Sequence, residues 1–252
     1  MIDNTIEFLE PYTYLIIGSI KALVIAGALM GVVPGLVWLE RRLMGRFQVR
    51  LGPNRVGPFG LGQPISDSIK LLFKESIIQS SADKFLFHLA PAIVVFTSIV
   101  TFAVIPFGEP ITIFGQKIGL LVADVNIGLL FVFAISGMGI YGIVLAGFSS
   151  NNKYSLMGGL RSSAQMISYE LTLGLAAVSV IAITGSLSLT DMVKDQEVIP
   201  NILIQPLAFL LFFTAGVAET NRAPFDLPEA EQELVAGFHT EYSGMKFAMF
   251  FM

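Results

Sequence analysis

No cysteine occurs anywhere in the chain, which removes disulfides, thiolate nucleophiles and cysteine-ligated iron–sulfur clusters together. Only two histidines, His88 and His239, are present, so a three-histidine zinc site is excluded as well. Charge is scarce: 13% of residues are Asp, Glu, Lys or Arg, against roughly 25% in soluble domains. With 54% hydrophobic residues and a mean hydropathy of +0.74, a single soluble domain is excluded. Basic residues are not in excess, at 15 Lys+Arg against 19 Asp+Glu, and the Arg-dense stretch lies beside an apolar run, so nucleic acid is not an expected partner. No Ser/His/Asp arrangement, HExxH or Walker sequence is found, which argues against a hydrolase or an ATP-driven pump.

What the sequence does have is long apolar runs. A membrane-crossing helix needs about 20 mostly apolar residues, and five windows qualify: 14–38, 87–107, 125–148, 160–183 and 202–218. A sixth starts at Met245 and reaches the last residue after only a few apolar positions, so the chain is expected to be C-terminally short of a complete sixth span. The first run is not a cleaved signal, because Asp3, Glu7 and Glu10 precede it where such peptides are basic. Lys21 interrupts that run and is expected to snorkel or to find a neighbour.

Loop Lys and Arg set the orientation. The loop 39–86 holds Arg41, Arg42, Arg46, Arg50, Arg55, Lys70, Lys74 and Lys84; 149–159 and its edge add Lys153 and Arg161, and 219–244 adds Arg222. The two opposite loops hold only Lys117 and Lys194, which predicts an outside N-terminus and three cytoplasmic loops. Inside loop 39–86, the stretch GPNRVGPFGLGQ from Gly52 reads as a compact turn-rich segment, not a phosphate cradle, because no strand precedes it. From Ile65 the spacing of Ile65, Ile69, Leu72 and Phe73 predicts an amphipathic helix lying in the membrane interface. The fold class expected is therefore an all-α polytopic membrane protein in one integral membrane domain.

Three groups of residues invite chemistry. Glu170 lies nine residues beyond Arg161 in the fourth run, near mid-bilayer, on a helix lined by Ser162, Ser163, Ala164, Ser168, Gly174 and Ala176. It is either a proton relay or a protonated packing residue bonded to Tyr169 or to a neighbouring helix. The loop 219–244 gathers Glu219, Asp226, Glu229, Glu231, Glu233 and Glu241 against the lone Arg222, the charge arrangement that proton-exchanging sites use. The same residues also fit a helix start, with Asp226 to Glu229 as a capping box. Glu40, Arg41, Arg42, Arg46 and Arg50 close the first run, either as a positive-inside anchor or as a cationic mouth for a polar headgroup, and Trp38 suits both.

At these same residues the chain resembles a known family. LERRLMGRFQVRLGPNRVGPFGLGQPISDSIKLLFKE from Leu39, LRSSAQMISYELTLG from Leu160 and AETNRAPFDLPEAEQELVAGFHTEYSGMKFAMFFM from Ala218 are similar, in order, to the quinone-site membrane subunit (the H subunit) of proton-pumping NADH:quinone oxidoreductase, respiratory complex I. Membrane subunits of energy-converting hydrogenases resemble it more loosely, and an unrelated ion carrier built around Glu170 is the other alternative. The complex I resemblance implies about eight spans, a quinone chamber at Glu40, Arg41, Arg50, Asp67 and Arg222, and a carboxylate path through Glu170, Glu219, Asp226, Glu229, Glu231, Glu233 and Glu241. It also implies a quinone substrate, ubiquinone or menaquinone, with FMN, NADH and iron–sulfur clusters held by partner subunits. Those partners would be peripheral iron–sulfur and quinone-site subunits, small membrane subunits and antiporter-like subunits. The expected location is the bacterial inner membrane.

Overall fold

A computed structural model describes residues 3–108, 110–113, 116–221, 224–226 and 237–251, with side chains from residue 17 onward except at 111, 113 and 116–118. It divides into two compact units, Met1–Glu75 with Gly108–Ala123, and Ser76–Phe107 with Asp124–Met252.

The first unit is built on α1 (Asp3–Phe47), whose 45 residues extend about 68 Å at 1.5 Å per residue, well beyond a bilayer core. Its apolar part meets the length and composition of a span from Ile17, and the helix carries on past Trp38 through Arg41, Arg42 and Arg46, residues that the apolar pattern assigns to the following loop. It ends in a Schellman turn: Arg50 N–H donates to Gly45 O at 2.8 Å and Val49 N–H to Arg46 O at 3.1 Å. Val49 occupies the left-handed position at φ 54°, where glycine is usual and a β-branched side chain is strained. Lys21 does find a neighbour, donating to Leu121 O at 3.4 Å. The interfacial helix α2 (Gln63–Phe73) starts with Pro64 in its first turn, where a missing N–H costs nothing, and leaves Ile65, Ile69, Leu72 and Phe73 exposed along one face. A short antiparallel pair, β1 (Ile111–Ile113) with β2 (Gln116–Ile118), qualifies the all-α expectation.

In the second unit, α3 (Lys84–Thr101), α4 (Gly128–Ser149) and α5 (Lys153–Thr184) meet the span criterion, giving four such helices among the described residues. This chain is an integral membrane protein with a helical architecture. Asp83 caps α3 by accepting from Phe85 and Leu86 N–H, and Asn152 caps α5 at Tyr154 N–H. The start of α5 at Lys153 shortens the loop expected over 149–159 and puts Arg161 inside the helix. Helices α3 and α4 approach closely at Gly142, where a Cβ would stand 2.6 Å from Val94 Cγ2 and 3.0 Å from Ala90 O.

The expected fifth span is divided. After α6 (Leu189–Lys194) come α7 (Asn201–Ile204) and α8 (Pro206–Glu219), separated at Gln205 because Pro206 has no N–H to continue the ladder. Gln205 binds back to α5, donating Nε2–H to Ser179 O at 3.0 Å and accepting from Ser179 Oγ at 2.9 Å. The sixth run forms only α9 (Met245–Ala248) and a 3-10 turn over Met249–Phe251. Its aromatic residues close a core with Phe87, Tyr242 and Phe238: Phe87 and Tyr242 stack at 4.0 Å, and Phe250 meets both Tyr242 and Phe238 edge-on.

Candidate functional site

In the first unit the polar residues gather where α1, the glycine-rich loop and α2 meet. Arg41 Nη1 donates to Asp67 Oδ2 at 2.5 Å, Gln63 Nε2 donates to Asp67 Oδ1 at 2.9 Å, and Lys70 stands 3.9 Å away. Burial alone would raise the Asp67 carboxyl, but the bonds from Arg41 and Gln63 and the charges of Arg41 and Lys70 outweigh it and hold the group below its ordinary value. Arg42, one residue on, has a different task. Its guanidinium donates to Phe59 O at 2.7 Å and lies against the rings of Trp38 and Phe59, while Trp38 Nε1 donates to the same carbonyl at 3.1 Å. Phe59 needs this support, because it sits in the left-handed region at φ 56°. Beside it, Gly60 at φ 77° lets the loop pass against Pro53, whose carbonyl would collide with any Cβ.

Two cavities flank this junction. One of about 370 Å³ is walled by Trp38, Leu39, Leu43, Phe59 and Leu61 with Arg42 and Arg46 at its rim. The other, about 460 Å³, is lined by Arg41, Arg50, Leu51, Gly52, Pro53 and Gln63. Arg50 leans on Gln48, donating Nε–H to Oε1 at 2.7 Å. Arg41, Arg50 and Asp67 thus share one neighbourhood, and Glu40 lies half-buried one residue before Arg41. A cationic, glycine-walled concavity beside an apolar one is shaped for an amphiphile with a polar head.

In the second unit Glu170 faces α4. Ser136 Oγ donates to Glu170 Oε1 at 3.5 Å, so its partner is the neighbouring helix, one of the two options in the sequence; Tyr169 instead meets Phe225 edge-on. Gly137 makes the room: a Cβ there would stand 2.9 Å from Glu170 Oε1. Of the small residues expected to line this helix, Ser162, Ser163 and Ala176 are buried, while Ala164 and Ser168 face outward. Glu219, at the end of α8, is near enough to Glu170 for the two charges to interact. One turn and a half before Glu170, Gln165 Nε2 points at Ala218 O, Asn221 Oδ1 and Phe225 O, each within 3.1 Å, and so fastens the start of the acidic loop to α5. Asn221 takes the left-handed conformation there at φ 49°.

The far end of that loop is fastened too. Glu241 accepts from Asn152 Nδ2 at 2.7 Å, and Ser155 Oγ donates to Phe238 O at 2.9 Å. Tyr242 is pushed up to about 12 by burial, against a smaller opposing effect of its bond with Ser149. Arg222, Glu229, Glu231 and Glu233 lie outside the described residues, as does most of the capping box expected from Asp226. No cluster of metal-ligating side chains occurs among the described residues. Sequence reasoning missed Ser136, Gly137, Gln165 and Asn221; a Ser-Gly pair inside an apolar run was the available signal for the first two.

Comparison with known proteins decides the family. The NADH dehydrogenase family profile matches residues 20–252. One of two H subunits of NADH-quinone oxidoreductase in Syntrophobacter fumaroxidans, the second by number, is 54% identical over 232 residues, 92% of this chain and 70% of its own length. The chain belongs to the family of NADH-quinone oxidoreductase H subunits. The H subunit of Thermomicrobium roseum is 52% identical over 248 residues, covering 94% of this chain and 73% of its own, and that of Syntrophotalea carbinolica is 52% identical over 238 residues, covering 94% and 72%. The resemblance carried by the Leu39, Leu160 and Ala218 segments is therefore met, and this member of the H-subunit family is a membrane component of an oxidoreductase complex.

Proposed function

We propose that the chain forms much of the quinone-binding chamber of complex I and carries a carboxylate path that couples quinone reduction to proton translocation. The observation that carries this reading is Glu170, a mid-span carboxyl set between Ser136 and Gly137 of α4 with Glu219 nearby. A carboxyl so placed can hold a proton, donate it as an acid and release it when a neighbouring charge changes. Glu219, Asp226, Glu229, Glu231, Glu233 and Glu241 continue the path. Arg41 and Arg50 orient the quinone headgroup, Asp67 and Glu40 shape the chamber beside them, and Arg222 contributes from the acidic loop. The strained Val49 and Phe59 next to those arginines support this, since backbone strain gathers at functional sites.

Electrons arrive from an iron–sulfur cluster of a peripheral partner subunit, and FMN and NADH also belong to partners. The quinone is ubiquinone or menaquinone. Small membrane and antiporter-like subunits pass the coupled protons on. The chain lies in the bacterial inner membrane with its N-terminus outside and the segment 48–83 in the cytoplasm, following the Lys/Arg bias. Glu170→Gln in the intact complex, reconstituted in proteoliposomes with a pH-sensitive dye, tests the reading: quinone reduction and pumping should both fall by roughly tenfold or more, with Glu170→Asp retaining part of each. Full pumping by the Gln variant at normal assembly refutes it.

A further inference from the structure

His239 is the second histidine of the chain and lies in none of the roles above. It is 8% exposed, and its Nδ1 has no hydrogen-bond partner among the described residues. Phe238, Phe247 and Phe251 meet the ring edge-on at 5.0, 5.2 and 5.4 Å, so its sides are closed by hydrocarbon. A buried polar nitrogen without a partner is rare and calls for an explanation. The charged side chain that His239 feels is Asp226, from the start of the acidic loop. Helix α9, which packs beside the ring, contributes Lys246, but its ammonium is directed over Phe87 at 5.3 Å.

We propose that His239 is a further proton-exchanging group of the acidic loop, taking a proton from the Asp226 carboxyl at Nδ1 and returning it. This rests on the proton-path reading given above. The step is balanced: the Asp226 O–H bond breaks, an Nδ1–H bond forms, and the neutral acid and imidazole become a carboxylate and an imidazolium. Hydrocarbon around the ring favours the neutral pair, and a change of charge elsewhere in the loop tips it toward the ionic one. Burial also lowers the imidazole below its ordinary value while the Asp226 charge opposes that, which keeps both forms within reach.

His239→Asn and His239→Phe, made in the full-length protein within the assembled complex, separate proton exchange from packing. Asn keeps a polar group without titration, and Phe keeps the aromatic shape. Quinone reduction and proton pumping should fall by roughly tenfold in both, with the pH profile losing an inflection near neutrality, while NADH oxidation by an artificial acceptor continues. Near-normal pumping and an unchanged profile in either variant that assembles overturn the proposal. A loss confined to Asn, with Phe normal, shows that the ring only packs and overturns it too. Glu170→Gln, measured alongside, tells the two failures apart: if it pumps poorly while a His239 variant pumps normally, His239 alone is dismissed, and if it pumps fully, the path reading falls first.

Discussion

Gly137→Ala isolates the position of Glu170 from its presence. The added Cβ would stand 2.9 Å from Oε1, 3.4 Å from Oε2 and 3.6 Å from Cδ, so the carboxyl must withdraw by about 0.5 Å to reach ordinary contact at 3.4 Å. It can do so, because the obstructing atom ends a flexible side chain. The cost is an off-rotamer torsion of about 0.5–1.5 kcal/mol and the bond from Ser136, already long at 3.5 Å and worth at most about 1 kcal/mol. Against it stands the helix preference of Ala over Gly, about 0.8–1.0 kcal/mol in α4. The two nearly cancel, so assembly should be close to normal. Function should not be: misplacing a reacting group by about 1 Å can cost 100-fold, and half that distance about tenfold. Gly174→Ala on α5 is the control, since a Cβ there meets nothing within 4 Å. Complex content on native gels and quinone-linked pumping in inverted vesicles measure the two sides. Gly137→Ala pumping at the Gly174→Ala level would show that Glu170 has no geometric task.

Three further outcomes are expected. Asp67→Asn should destabilise by about 0.2–1 kcal/mol, because both partners of the Arg41 pair are partly exposed. As the folded carboxyl is held below 3.8, the wild-type advantage in thermal unfolding should be complete above that pH and vanish as pH falls through the lowered value; an advantage that shrinks at pH about 6 refutes this. Val49→Gly should raise thermal stability by about 1–2 kcal/mol, since the 94% exposed side chain holds a left-handed conformation at the end of α1, and a lowered midpoint would refute the strain. Ser80→Cys, clean to label in a chain without cysteine, should react with an impermeant maleimide from the cytoplasmic side only; periplasmic labelling reverses the orientation.

How much of this was legible in the sequence depends on whether the signal is local. The amphipathic helix from Ile65 appears as α2 because four apolar residues at helical spacing and a first-turn proline act within one segment. The division of the fifth run was equally local: Pro206 announces it, but a hydropathy window averages over one residue, so the expected span runs straight through Gln205. Span edges erred for the same reason at Arg41 and Arg42, where a helix continues beyond its apolar part. Glu170 could be picked out by depth alone, whereas Ser136 and Gly137 lie 33 or more residues away and become its neighbours only through the packing of α4 on α5. Nor could spacing separate Arg41, which meets a carboxylate, from Arg42, which meets a carbonyl and two rings.

Gln165 gives the acidic loop a mechanical character. One amide nitrogen reaches three acceptors, on the last turn of α8, on Asn221 and on Phe225, and it belongs to the same rigid helix as Glu170. At the other end Asn152, the cap of that helix, grips Glu241. Both ends of the loop are therefore clamped to a single strut, and compliance is left to the stretch between them. A push delivered there is transmitted to α5 as torque about its axis, and Glu170 lies on the shaft that turns.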